Sequence, residues 1–444
     1  MSYAAAIDGL FSLAGELHAA PGEPRRKFEL SEMRVLAEGL GHPERGFPSV
    51  LVAGTNGKGS TSATLASILT SAGYRTGLYT SPHLSRVNER VRIDGAEISD
   101  DDFAAYYFRV DDCAQRLVRE GALRGHSSFF ETMTALGFLA FAEKQVDIAV
   151  LEVGMGGRLD ATNIVEPAVS VITDISIDHT EWLGSTIAEI TREKAGILRR
   201  NGVLVTLPQH PEANQAIGVA AEDLQVRGVS AAAYVPGREA AHGNEYSLTV
   251  LGERIDVKSP LMGLHQQRNM ALAIATAVEL RNYHGYNISA AQIADGIRRT
   301  RWPGRLERFS QTGRADVLLD VAHNPAGAWA LRSALSHLDP EPRTRTAVFG
   351  CLRDKPIGEI AQILFPMFET AVLVEVDSPR KASLAEMEAA AGTTGVGVVT
   401  AENAWEAMER AWSMTPVDAD GLVVVTGSVY LVGAVRAMLT EASQ

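Results

Sequence analysis

The sequence predicts an α/β fold in two parts, each built on a mainly parallel sheet. From Pro48 onward, short apolar runs rich in β-formers alternate with longer amphipathic stretches, as strands joined by crossover helices do. A second cycle of the same alternation starts near residue 315. The chain has 444 residues, well past the roughly 250 to 300 at which a single hydrophobic core stops growing.

In the first part, SVLVA (49–53), DIAVLEV (147–153), AVSVITD (168–174) and GVLVTL (202–207) predict strands, each short, apolar and rich in valine. Residues 60–72, 101–120, 131–144 and 185–198 carry helical periodicity. In the second part, strands are expected over 315–322, 346–352, 370–376 and 421–428. The segment RWPGRLERFSQTGR lies between, where Pro303, Gly304 and Gly313 break the pattern after a helix ending near Arg299. The expected division is residues 1–300, a linker over 301–312, and a smaller unit over 313–444, with a ligand cleft at the junction. No repeat of 20 to 50 residues and no low-complexity segment is present in the sequence.

Composition excludes several classes. At 46% hydrophobic and 21% charged, the chain is neither disordered nor fibrous. A net charge of −13 disfavours nucleic acid and anionic membrane as partners. Cys113 and Cys351 stand far apart, which offers neither a disulfide framework nor metal-ligand spacing. The start MSYAAAIDGLFSLAG carries Asp8 and no basic leader, and no apolar run reaches a membrane span. A cytoplasmic monomer is the expectation.

The strand 49–53 runs into Gly54-Thr55-Asn56-Gly57-Lys58-Gly59-Ser60 and then a helix. A strand, a glycine-rich turn and a helix N-terminus bring backbone amides together around phosphate. Lys58 would sit on the β- and γ-phosphates of ATP, and Ser60 would add a hydroxyl. The first part is therefore P-loop ATPase-like, and the second is a Rossmann-like α/β domain. The spacing from first glycine to lysine is shorter than in the general pattern, so a plain glycine turn capped by serine is the competing reading. The flanking strand and helix weigh against it. Glu152 ends its apolar strand ahead of GMGG, and His179 follows the next strand. Both would emerge at the carboxyl edge of the sheet, where such folds bind ligands.

GTNGKGS, TSPHL (80–84), VNERVRIDG, SFFETMTALGF (128–138), LEVGMGGRLDATN (151–163), ISIDHTEWLG (175–184), EKAGI (193–197), GLHQQRNMALA (263–273), RWPGRLE (301–307), LLDVAHNP (318–325) and DKP (354–356) follow one another in this order. With these motifs the chain resembles the folylpolyglutamate synthase and dihydrofolate synthase family of the Mur ligase superfamily, over essentially its whole length. The resemblance implies an ATP-dependent ligase adding L-glutamate to a folate, and to dihydropteroate, through an acyl phosphate, with 313–444 as a glutamate-ligase domain.

The same resemblance assigns Ser81 and Glu152 to one Mg²⁺ and Glu152 with His179 to a second, although histidine is an uncommon magnesium ligand. It makes Lys194 a carbamylated lysine. Gly54, Thr55, Asn56, Gly57, Lys58, Gly59, Ser60, Asn269, Arg305 and Asp320 become nucleotide contacts, with Lys58, Lys194, His179 and Arg305 catalytic. Phe129, Phe130, Asp160 and Ala161 would border the pterin, though one phenylalanine is expected to be core. His323 and Arg380, with Asp354 and Lys355, would face the glutamate. Two rival readings share the phosphate loop: another Mur-type ligase acting on a nucleotide-linked peptidoglycan precursor, and a nucleotide-dependent switch. TSPHL and SFFETMTA weigh against the first rival, and the second predicts hydrolysis that is indifferent to glutamate.

Overall fold

The computed structural model describes residues 2–13, 29–237, 244–338, 343–417 and 421–441. The first unit holds β1 (Ser49–Ala53), β2 (Thr76–Tyr79), β3 (Val91–Ile93), β4 (Ala96–Glu97), β5 (Ile148–Glu152), β6 (Val169–Ile172), β7 (Val203–Thr206) and β8 (Arg227–Ser230). These form one sheet in the order β4-β3-β2-β5-β1-β6-β7-β8. All neighbours from β2 to β8 pair in parallel, and β3 and β4 add an antiparallel edge. A separate hairpin of β9 (Glu245–Val250) and β10 (Glu253–Lys258) follows.

The second unit holds β11 (Glu307–Phe309), β12 (Asp316–Leu319), β13 (Thr344–Phe349), β14 (Thr370–Val374), β15 (Gly397–Ala401) and β16 (Gly421–Thr426), ordered β11-β12-β16-β13-β14-β15. Only β11 runs antiparallel, against β12. Residues 307–309, inside the segment expected as linker, thus pair with the second sheet.

The central strands read as mainly apolar runs because helices cover both faces. In β1, Leu51 and Ala53 enter one core cluster while Val50 and Val52 enter the other, with all four at 0% exposure. Side chains alternate across a strand, so each face needs its own apolar set. The second sheet repeats this: Leu318, Ala347, Phe349 and Val424 face one layer, and Val317, Leu319, Val348 and Val425 face the other.

The helix Lys58–Ser71 has ten buried residues around its circumference, as a helix packed on all sides must. Helices His265–Tyr283 and Ala290–Arg299 lie against it. Gly296 permits the second contact, since a Cβ there would stand 2.4 Å from the Cα of Ile68. Among the described residues no helix is long and apolar enough to cross a membrane.

Candidate active site

The turn after β1 carries the phosphate loop at the carboxyl end of the sheet. Its shape comes from backbone as much as from glycine: the amides of Thr55 and Asn56 both donate to the carbonyl of Asp174, at 2.9 and 3.1 Å. Gly57 is obligatory twice over. Its φ is +88°, and a Cβ would meet Oδ1 of Asn269 at 2.2 Å, so a side chain is excluded by backbone conformation and by space. The helix begins at Lys58, two residues before the expected start. Ser60 therefore sits in its first turn, buried, and Nζ of Lys58 donates to the Thr55 carbonyl at 3.2 Å. Gly59 lies against the Trp302 ring.

Three neighbouring strand ends supply the rest. Glu152 closes β5 with its side chain 4% exposed and accepts from the amide of Ser81 at 3.2 Å. Burial pushes its pKa up against the pull of Lys58, the Ser81 amide, Arg305 and Arg90. A carboxylate in that position calls for more positive charge than the chain supplies. The GMGG loop is tied down by Asp160, which accepts from the amides of Gly154, Met155 and Thr162 at 3.0 to 3.1 Å. His179 follows β6 in the left-handed region, at φ 51°, and its imidazole caps no helix. Burial, with Lys355, Lys58 and Lys194 nearby, lowers its pKa to about 4 despite Asp178, so it is neutral at pH 7.

Lys194 lies on the helix Ile187–Ala195, which is capped by Thr186 through a reciprocal bond with Glu189. It is 4% exposed, and Nζ donates to the Gly54 carbonyl at 2.7 Å. Burial and Lys58 bring its pKa down to about 7 against Asp178 and Asp160.

The second unit brings its own strand ends to face these. Asp320, at the end of β12, accepts from the amides of Leu306 and Ala322, both at 3.0 Å. Burial raises its pKa to about 6 against Arg305. Arg305 donates to the Gly304 carbonyl at 3.1 Å, and the charges of Asp320 and Glu152, one from each unit, oppose the effect of its burial. Asn269 is buried behind the phosphate loop and donates to Gln266 at 2.8 Å. His323 has Nδ1 2.8 Å from the Val321 carbonyl, and Arg380 stands 3.7 Å from Asp354.

Between the units lies a cleft of about 1570 Å³, roomier than the ~300 to 1,000 Å³ that usually holds one small ligand. Ser81, Phe129, Phe130, Asp160, Ala161, His179, Arg305, His323 and Arg380 all line it. Phe129 is 5% exposed within the core, whereas Phe130 packs at its margin. Lys58, Glu152, Lys194 and Asp320 reach this region through the couplings described above.

Several contacts here carry no signal in the sequence. Arg90 is buried over the Phe129 ring, 5.1 Å from its centroid, and donates Nε to Nδ1 of His83 at 2.9 Å. Asp178 accepts from Nζ of Lys355 at 2.8 Å. Burial works to raise the Asp178 pKa, but His179, Lys355 and His323 outweigh it and hold the carboxyl well below its usual range. The partners are 177 residues apart in sequence, beyond any local periodicity.

A phosphate loop on one α/β unit, facing a smaller α/β unit across a roomy cleft, fits a two-domain nucleotide-dependent ligase. Two family models match the chain in turn: "Mur ligase middle domain" over residues 52–277 and "Mur ligase, glutamate ligase domain" over 304–429. The chain is 35% identical to dihydrofolate synthase/folylpolyglutamate synthase of Bacillus subtilis over 425 residues, covering 92% of this chain and 94% of that protein. It is 36% identical to the folylpolyglutamate synthase of Lacticaseibacillus casei over 410 residues, covering 91% and 92%.

Among solved structures, Mycobacterium tuberculosis folylpolyglutamate synthase complexed with ADP superposes with TM-score 0.87 at 34% identity, over 98% of both chains. E. coli FolC in complex with DHPP and ADP superposes with TM-score 0.84 at 30% identity, over 99% of this chain and 98% of that one. The chain belongs to the folylpolyglutamate synthase/dihydrofolate synthase family of ATP-dependent glutamate ligases. The rival Mur-type reading is not favoured.

Proposed function

We propose that this ligase adds L-glutamate both to tetrahydrofolate mono- and polyglutamates and to dihydropteroate, through an acyl phosphate, as a cytoplasmic monomer. The observation that carries the mechanism is that Lys58 and Lys194 bond the phosphate-loop carbonyls of Thr55 and Gly54, with Glu152 at the neighbouring strand end and Arg305 lining the cleft beside them. Those groups handle phosphate charge, and the adjoining cleft has room for more than one substrate.

A carboxylate oxygen of the pterin substrate attacks the γ-phosphorus of ATP, the bond to the β,γ-bridging oxygen breaks, and ADP leaves. The glutamate amine then attacks the acyl carbon, phosphate departs, and the amine proton is lost as the amide forms. Lys58 and Arg305 stabilise the charge that accumulates at the transferring phosphoryl group. Gly54 to Ser60 cradle the phosphates, Asn269 and Asp320 take the nucleoside end, and Phe129, Phe130, Asp160 and Ala161 border the pterin. His323 and Arg380 face the incoming glutamate. Lys355 is committed to Asp178 and is not assigned to that site.

Glu152, Ser81 and His179 would hold Mg²⁺. Among the described residues no group of three or more His, Cys, Asp or Glu could hold a metal alone. That suits magnesium, which keeps water and phosphate oxygens in its shell and takes only one or two carboxylates from protein. Bound there, the ion would neutralise charge between the phosphates and Glu152. Lys194 would be carbamylated, which turns a buried cation into an anion beside the phosphate loop.

Mass analysis of products after incubation with ATP, Mg²⁺, glutamate and either dihydropteroate or tetrahydrofolate tests the reading. One added glutamate on each substrate is expected. Glutamate transfer only to a UDP-muramoyl substrate, or ADP release indifferent to glutamate and pterin alike, would sink it.

A further inference from the structure

One side chain of the second unit reaches the phosphate loop itself. Asn324 follows β12 and starts the helix Pro325–Leu335, with its Oδ1 accepting from the Gly327 amide at 2.8 Å. That is an ordinary cap and accounts for half of the side chain. The other half points across the cleft. Nδ2 donates to Oδ1 of Asn56 at 3.1 Å and to Oδ2 of Asp178 at 3.0 Å, so both amide hydrogens are used. Asn324 is 1% exposed, and an amide this buried tolerates only the one geometry that satisfies all three bonds.

Both targets belong to the first unit, and both are held. Asn56 donates its backbone amide to the Asp174 carbonyl at 3.1 Å and its Nδ2 to Oγ of Ser176 at 3.0 Å. Oδ1 of Asp178 accepts from Nζ of Lys355 at 2.8 Å, with the two side chains 8% and 7% exposed. The other groups facing this carboxylate are His179, whose backbone amide donates to it at 2.8 Å, and Nε2 of His323 at 3.9 Å. Asn324 therefore joins the second unit to the phosphate loop at Asn56, and both Asn324 and Lys355 join it to Asp178 on the neighbouring segment after β6.

We infer that Asn324 is a positioning residue: its amide registers the second unit on Asn56 of the phosphate loop, the Asp178–Lys355 ion pair secures that contact, and together they keep the acyl phosphate from water. The inference rests on the ligase reading. Without the bridge, nucleotide still finds Lys58 and the loop amides, because the bonds from Thr55 and Asn56 to Asp174 lie within the first unit. The acyl phosphate then meets water. Hydrolysis returns the pterin carboxylate and inorganic phosphate, so an ATP is consumed and no amide forms.

Asn324→Ser separates the two halves of the side chain, since serine caps a helix as well as asparagine but has no amide to send across. Lys355→Met removes the ion pair to Asp178 without touching the cap. With wild type beside them, each variant is assayed for ADP formed per glutamate ligated, for kcat and KM with ATP, and for melting temperature. Both variants should stay folded but melt somewhat below wild type, because each leaves a buried partner short of a bond; both should keep their KM for ATP, lose roughly tenfold or more in ligation turnover, and release more than one ADP per amide. Wild-type turnover with a ratio of one would overturn the assignment. So would a fall in turnover with the ratio still at one in both variants, which marks a merely structural role. If wild type itself makes no amide, the ligase reading fails and this assignment with it.

Discussion

Replacing Lys194 by arginine should leave a folded protein that ligates almost nothing, and the reason can be worked from the burial of this side chain. Carbamylation requires a neutral amine: nitrogen attacks CO₂, the new N–C bond forms, and a proton leaves. A lysine titrating at its ordinary 10.5 is neutral in roughly one molecule in three thousand at pH 7. Burial and the neighbouring Lys58 bring Lys194 to about 7, so about half the molecules present the reactive form, a gain of about a thousandfold. The sign follows from the direction of the shift. As pH rises through 7 the amine is increasingly neutral and would capture CO₂, and as pH falls through 7 the cation returns and capture would stop. Arginine stays charged throughout and cannot be carbamylated.

The assay is carbon-13 NMR with labelled bicarbonate, read beside ligation rates in buffer stripped of CO₂ and then resupplied. A carbamate resonance absent from Lys194→Arg is expected, with turnover that falls on stripping and returns with bicarbonate. Lys194→Ala should also be nearly inactive, and acetate should restore part of its activity by supplying a carboxylate in the vacated space. An arginine variant that ligates normally, or a wild-type enzyme indifferent to CO₂ with no carbamate signal, would refute the reasoning.

Other outcomes follow from the same geometry. Lys58→Ala and Glu152→Ala should each lose on the order of 10² to 10³ in turnover while melting near wild type, because both act at a charged cleft and not in a core; near-normal ADP release at saturating substrate would remove that residue from the mechanism. Gly57→Ala should lose nucleotide affinity in equilibrium binding, since φ is +88° and the new methyl would meet Asn269 at 2.2 Å; affinity equal to wild type would show that the loop has another accessible shape. Gly433→Ala tests docking of the units, because its Cβ would fall 1.9 Å from the Leu84 carbonyl of the TSPHL loop. Turnover should drop there with little change in nucleotide affinity, and an unaffected kcat would mean that the contact is dispensable.

Much of the fold is legible in the chain without coordinates. Strands buried on both faces are apolar at most positions, so β1, β5, β6 and β16 stand out as short, mainly apolar runs despite single polar residues such as Ser170 in β6, and β1 spans the expected residues 49 to 53. The phosphate loop is legible for a related reason: a turn that aims backbone amides at phosphate must be glycine-rich, and the residues that shape it are contiguous. Most strands that the sequence does not announce are only partly buried; β2 is the exception, buried at all its positions but only four residues long with a glycine among them. β8 has a burial pattern with no fully buried residue, β3 and β4 are short edge pieces, and β15 is exposed over its first two residues.

The site divides in the same way. Glu152 and Lys58 lie at the ends of elements that the sequence announces, so their approach to one sheet edge follows from topology. The Asn324 bridge to Asn56 spans 268 residues, and Arg90 over Phe129 joins the short helical turn before β3 to the first residue of the helix Phe129–Glu143. No local period or spacing encodes such pairs, because contact between them depends on how two separately folded units meet. Composition, periodicity and the glycine-rich motif predicted two α/β units, a phosphate loop between β1 and its helix, and Glu152 and His179 at strand ends, while the roles of Lys194, Arg305 and Asp320 came with the family resemblance. Only the tertiary structure decided which of those groups face one another, because hydrogen bonds and ion pairs across a cleft act over a few ångströms of space and are blind to distance along the chain.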